Sequence, residues 1–115
     1  MHELSIASSA LELVFEHARR ENATRVQRVI LCVGELSGVD LGALRFAFTV
    51  ASTDTLAENA ALEIEVVPAL AHCAACDEDF AAAGSFIFAC PTCGELSSDV
   101  HQGLELDLAR IEMTT

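Results

Sequence analysis

At 115 residues the chain has room for one small core, or for one core with a metal-stapled appendage, and its hydrophobic fraction of 52% includes no apolar run long enough to span a bilayer. Eighteen acids against six arginines and no lysine give a formal net charge of -12, a surface that repels phosphate backbones and argues against nucleic-acid binding. No basic start followed by an uninterrupted apolar stretch marks a secretory signal, so a reducing cytoplasm is the expected setting.

From about Glu3 to Arg20 the pattern is helical. Leu4, Ala7, Leu11, Val14 and Ala18 form one stripe with Ile6, Ala10 and Leu13 beside it, and Asn22 can close the helix. From Arg25 to Leu36 a β-branched run follows, with Val29, Leu31 and Val33 on one face and Val26, Ile30 and Cys32 on the other, so this strand is expected to be buried on much of both faces. Gly34, Ser37 and Gly38 then punctuate a turn. Asp40 precedes Leu41, Leu44, Phe48 and Ala51 at helical spacing, which predicts a second helix to about Ser52 with Asp40 as its N-cap. Ala61 to Ala71 alternates as a second strand, Leu62, Ile64 and Val66 against Glu63, Glu65 and Val67, with an edge or bulge at Pro68. Near the end Leu104, Leu106, Leu108 and Ile111 make a third strand with Glu105 and Asp107 opposite.

Between the second and third strands lie two Cys-x-x-Cys pairs, Cys73 with Cys76 and Cys90 with Cys93, separated by thirteen residues. Each pair can wrap two thiolates around one ion, and together they complete a tetrahedron suited to structural zinc, with no open position for chemistry. Disulfides fit poorly, because a fifth cysteine, Cys32, would be left over. Cys32 sits in an apolar run and reads as core. Iron stays open: Cys90-Pro91-Thr92-Cys93-Gly94 is a knuckle that also suits it, and Phe80, Phe86 and Phe88 offer some shielding, although tryptophan and tyrosine are absent. The chain thus leaves a sheet, builds a metal knob and returns. No Ser-His-Asp or Cys-His nucleophile pattern stands out, so an enzyme is not expected.

At the other end, Met1-His2-Glu3 sets an imidazole one residue from an α-amine, provided Met1 is retained without a tag. Amine, backbone nitrogen and imidazole can close fused chelate rings on an ion such as Ni(II) or Cu(II) that gains from a square-planar field, with Glu3 as a further donor. Taken alone, a histidine at position two is ordinarily part of a mobile terminus. The sequences Met1-His2-Glu3-Leu4-Ser5, Gly34-Glu35-Leu36-Ser37-Gly38-Val39-Asp40, the paired Cys-x-x-Cys motifs and Gly103-Leu104-Glu105-Leu106 together resemble the HypA/HybF family of hydrogenase maturation factors, over essentially the whole chain.

That resemblance implies a nickel metallochaperone that passes Ni(II) to the large subunit of a [NiFe] hydrogenase with a HypB-type nickel GTPase as partner. It implies His2 as the essential nickel ligand, Glu3 and Asp40 as neighbours of that site, and Cys73, Cys76, Cys90 and Cys93 as ligands of structural Zn(II). The implied fold is α/β. Two helices on a three-stranded sheet form a nickel-binding domain, residues 1–71 and 102–115, into which a four-cysteine, zinc-ribbon-like domain, residues 72–101, is inserted. Some members carry histidines directly after the Cys-x-x-Cys pairs, where Asp77 and Gly94 stand here. Two other classes remain: a zinc-ribbon interaction or regulatory module without nickel, and a small iron redox protein with four cysteine ligands. His17 reads as a solvated helix residue, His101 as a loop end, and His72 as an outer-shell or surface neighbour of Cys73.

Overall fold

A computed structural model describes residues 2–82 and 88–115, the His2 side chain excepted. The first helical stripe forms helix α1, His2–Arg20. Ala7, Leu11, Val14 and Ala18 recur every three or four residues and are all but fully buried. The buried face is narrower than the sequence pattern predicts: Leu4 and Leu13 remain 44% and 47% exposed. Asn22, at φ 54°, takes the left-handed conformation that ends a helix, and the Ala23 amide donates back to the Ala18 carbonyl at 2.9 Å. Helix α2, Leu41–Ser52, packs against α1 and buries Leu44, Ala47 and Phe48.

The strands are β1 (Arg25–Gly34), β2 (Ala61–Val67), β3 (Leu70–Cys73), β4 (Glu78–Ala81), β5 (Phe88–Ala89), β6 (Leu96–Ser97), β7 (Val100–Gln102) and β8 (Leu106–Thr114). A three-stranded sheet runs β2-β1-β8. Its central strand is β1, where Val26, Val29, Ile30, Leu31 and Val33 are buried from both parities, as an apolar run flanked by neighbours requires. Arg28 reaches Glu63 at 3.0 Å and Glu112 at 3.5 Å, pairing the middle strand with both of its neighbours. These ion pairs are solvent-exposed and fix register more than they stabilise.

Two strand expectations need correction. The run from Ala61 to Ala71 is not one strand: β2 ends at Val67, and β3 pairs in a different sheet. Pro68 has no amide proton to continue the ladder, and the next amide, Ala69, donates to the Glu35 carboxylate at 3.1 Å. Val66, which that alternation groups with Leu62 and Ile64, is 51% exposed where those two are partly buried. The last strand begins at Leu106, not Leu104, and runs on to Thr114; Leu104 is 55% exposed. Gly103, at φ 117°, breaks the extended path just before it.

By contacts the chain divides into two units, one of residues 1–31, 39–65 and 107–115, the other of residues 32–38 and 66–106. The second unit contains the sheet β4-β3-β7, both pairings antiparallel, and the hairpin β5-β6. Among the described residues its buried cluster is Ala69, Ala71, Cys73, Phe80, Ala82, Phe88 and Cys90, with Leu36, Cys76 and Val100 packed on it. Among the described residues the large side chains in that buried set are the two phenylalanines, a small apolar core for which a metal crosslink would be a natural supplement.

The Gly34-Glu35-Leu36 segment is stitched into this unit by three amides. Gly34 donates to the Glu105 carbonyl at 2.7 Å, Glu35 to Val67 at 2.9 Å and Leu36 to Gly103 at 2.7 Å. A Cβ at Gly34 would overlap the Gly103 carbonyl, so the close backbone approach demands glycine there.

Candidate metal centre

Cys73 ends β3 and Cys76 lies in the turn to β4; Cys90 follows β5 and Cys93 lies in the turn before β6. Each Cys-x-x-Cys pair therefore sits at the tip of its own hairpin. The residue after each second cysteine, Asp77 at φ 54° and Gly94 at φ 77°, is left-handed, the bend that returns the chain after a knuckle. The Gly94 amide donates to the Cys90 carbonyl at 2.8 Å and the Cys90 amide to the Glu95 carbonyl at 2.9 Å, closing the second knuckle.

All four Sγ atoms lie within 4.8 Å of one another, and Cys73 and Cys93 approach to 3.5 Å. A tetrahedral ion with sulfur at about 2.3 Å needs sulfur–sulfur edges of about 3.8 Å, so one ion fits this set with small adjustments. Cys73 and Cys90 are buried, Cys76 is intermediate and Cys93 exposed. Backbone amides of Cys93 and then Thr92 point at the Cys90 sulfur and lower its pKa to about 7. The Cys76 thiol is pushed up to about 12, first by its hydrogen bond to Cys93 and then by burial and the remaining thiols. At Cys93 the Glu95 amide favours the thiolate, but the Cys73 thiol and burial outweigh it and the net shift is upward. Thiols that share protons this closely are a donor set for a divalent cation, which replaces those protons with its own charge. Phe80 and Phe88 are buried in the same cluster as the thiols; Phe86 lies outside the described residues.

The second expected site begins at the start of α1. Met1 and the His2 side chain lie outside the described residues, while the His2 backbone opens the helix. A helix leaves its first four amides without intrahelical acceptors, so the backbone nitrogens of His2 and Glu3 are not committed to the helix ladder. The Asp40 amide donates to Glu3 Oε2 at 3.2 Å, and this hydrogen bond holds the Glu3 carboxyl below its ordinary pKa. Asp40 Oδ1 in turn accepts from the Ala43 amide at 3.0 Å, making Asp40 the N-cap of α2 as the sequence predicts. Glu3 and Asp40 thus meet through a side chain and a main chain, and one carboxylate oxygen of Asp40 is engaged in capping. Glu3 and Leu4 line, with Ala43, Phe46, Ala47 and Val50, a cavity of about 240 Å³.

Sequence reasoning missed a third constellation. His101 is not at a loop end but inside β7, and its ring stacks on that of His72 with centroids 4.6 Å apart and planes 9° from parallel. Asp79 Oδ1 lies 2.8 Å from His72 Nδ1 and 3.0 Å from His101 Nδ1. The hydrogen bond to Asp79 raises the His72 pKa, and the same bond lowers that of Asp79. The alternation Ala71, His72, Cys73 in β3 was a usable signal that this imidazole faces away from the buried thiol. Its meeting with His101 depends on pairing with a strand distant in sequence. His17 is exposed on α1, as expected. Cys32, expected in the core, is only partly buried in β1.

A family model described as hydrogenase/urease nickel incorporation, metallochaperone, hypA, matches residues 1–113. The hydrogenase maturation factor HypA of Chlorobaculum parvum is 41% identical over 111 residues, which cover 96% of this chain and 97% of that protein. That of Roseiflexus sp. is 45% identical over 112 residues, covering 97% and 91%. The solution structure of the Ni metallochaperone HypA from Helicobacter pylori superimposes with a TM-score of 0.66 at 28% identity, covering 97% of each chain.

Proposed function

Since the chain belongs to the HypA family of nickel-incorporation metallochaperones in hydrogenase maturation, we propose that it carries Ni(II) on its first residues and delivers it to the large subunit of a [NiFe] hydrogenase. The family is one of metallochaperones and not of enzymes. In this reading His2 supplies an imidazole and a backbone nitrogen, the α-amine of a retained Met1 closes a second chelate ring, and Glu3 is a further donor or a neighbour that adds negative charge. Asp40 contributes chiefly by fixing where Glu3 lies. A HypB-type nickel GTPase is the expected partner, and the cytoplasm the expected compartment. No helix among the described residues is long and apolar enough to cross a membrane.

Structural Zn(II) on Cys73, Cys76, Cys90 and Cys93 completes the proposal. It divides labour between a nickel-handling domain, residues 1–71 and 102–115, and a zinc-bearing insert, residues 72–101. The observation that carries the nickel assignment is the sequence Met1-His2-Glu3 leading into α1, where the backbone nitrogens of His2 and Glu3 stand outside the helix ladder and Glu3 is tied to Asp40. A carrier must give up its cargo, and a terminal site of few ligands exchanges more readily than four partly buried thiolates. Replacing His2 with alanine in untagged protein and measuring nickel and zinc separately tests it: nickel binding falls and zinc stays, whereas unchanged nickel binding refutes the site.

A further inference from the structure

The sheet β4-β3-β7 has two unlike faces. Ala71 and Cys73 of β3, Phe80 of β4 and Val100 of β7 belong to the cluster around the thiols. The alternate residues, His72, Asp79 and His101, come from the same three strands and gather on the opposite face, His72 part-exposed and the other two exposed. Cross-strand register places His72 opposite Asp79, and the His72 amide donates to the Asp99 carbonyl at 2.7 Å. The Ser97 hydroxyl donates to the His72 carbonyl at 2.5 Å, so both main-chain polar groups of His72 are held.

Each of the two imidazoles stands between two carboxylates. His72 has Asp79 at Nδ1 and Asp77 at Nε2, 3.4 Å away; His101 has Asp79 at Nδ1 and Asp99 at Nε2, 3.3 Å away. A neutral imidazole has one N–H, so it can donate to only one of its two carboxylates. If the protons sit on Nε2, facing Asp77 and Asp99, both Nδ1 atoms border the same Asp79 oxygen; with the rings 9° from parallel their in-plane lone pairs do not meet at one point, so an ion held by both requires one imidazole to turn about its Cβ–Cγ bond. An Nε2 proton facing a carboxylate is the arrangement in which a carboxylate orients a metal-binding histidine through its far nitrogen. An ion bound at about 2.1 Å needs adjacent donors about 3.0 Å apart, close to the 2.8 and 3.0 Å between Asp79 Oδ1 and the two nitrogens. Three carboxylates against two imidazoles favour a dication there over an anion or a neutral ligand.

We propose that His72, His101 and Asp79 form a second metal site, separate from the four thiols and from the chain's first residues, that takes a borderline divalent first-row ion such as Ni(II). Two imidazoles and one carboxylate leave several coordination positions to water, as in facial two-histidine one-carboxylate sites, so the ion exchanges freely. Its choice of nickel as cargo rests on the nickel-carrier reading; its existence does not.

The test uses untagged full-length protein carrying one zinc per chain and the His2→Ala change, so the terminal site is removed beforehand. Titration with Ni(II) alone, followed by calorimetry and by paramagnetic broadening of imidazole resonances, is expected to show one further ion per chain that broadens His72 and His101. Adding His101→Ala abolishes that uptake with zinc unchanged, and Asp79→Asn weakens it about tenfold or more. If His101→Ala loses zinc, the Asp79→Asn protein with its zinc retained decides. The site is overturned if the His2→Ala protein binds no nickel beyond its zinc, if added nickel leaves both imidazole signals unbroadened, or if uptake is unaffected in the deciding variant. Since wild-type and His2→Ala proteins are compared for the terminal site, and His2→Ala with and without His101→Ala for this one, each can fail without the other.

Discussion

The four thiols and the start of α1 offer a metal opposite terms. At the thiols, two knuckles on two hairpins converge four sulfurs within 4.8 Å, two of them buried, and among the described residues the buried cluster around them has two phenylalanines as its large side chains. A metal there would contribute to folding, because the buried apolar set among the described residues is small. At the start of α1 the helix and its neighbours are secured by apolar packing, with Ala7, Leu11, Val14 and Leu44 all but fully buried. A metal bound at that end would be cargo. The difference teaches that donor number and burial matter less than whether the polypeptide needs the ion to fold.

The strongest challenge to this contrast is to remove one thiol. Cys76→Ser, or chelation of the wild type, is expected to release zinc and to unfold residues 66–106. Apparent zinc binding free energies in small structural sites run to about 10 kcal/mol or more. Amide exchange would show protection lost there and retained in α1 and α2; loss of protection throughout would mean that the metal supports the whole chain. Next in size is Gly34→Ala. A methyl overlapping the Gly103 carbonyl should cost about 1–3 kcal/mol in a denaturant titration of the zinc-loaded protein, and an unchanged midpoint would mean that the close approach is not rigid.

Asp40 separates capping from metal contact. Asp40→Ala should cost about 1 kcal/mol, whereas Asp40→Asn, an equally good cap, should leave stability nearly unchanged. If Asp40→Asn also keeps nickel affinity, the carboxylate charge plays no part in binding and its role is to position Glu3. The smallest effect is a titration. The amide of Asp40 stabilises ionised Glu3, so the folded pKa lies below the unfolded one. The resulting stabilisation is present above the unfolded pKa and is lost as pH falls through the folded value. Carboxyl resonances of the metal-free terminus should show Glu3 titrating below the ordinary glutamate range; a normal midpoint would show that the Glu3–Asp40 bond does not persist in solution.

Much of this architecture follows from local pattern. The α1 stripe, the doubly buried β1, the Asp40 cap and the two knuckles all depend on residues close in sequence, and the structure has each of them. What local pattern missed depends on long-range pairing. Alternation could not tell that Pro68 hands the chain from one sheet to another, since both halves are extended on either side of it. Nor could it foresee that Gly34, Glu35 and Leu36 bond to residues 67–105, which makes that segment a backbone clamp. His72 and His101 looked unrelated for the same reason: a strand register joins them, and nothing near either residue announces it.

The central claim is that cargo and structural metal sit on different residues. Nickel and zinc content of untagged wild-type and His2→Ala proteins, each equilibrated with one equivalent of Ni(II) and passed through a desalting column, tests it most directly. The account predicts one zinc per chain in both and more retained nickel in the wild type, His2→Ala keeping at most what the freely exchanging His72–His101–Asp79 site holds through the column. Equal nickel in both proteins, or zinc lost together with nickel on changing His2, would contradict it.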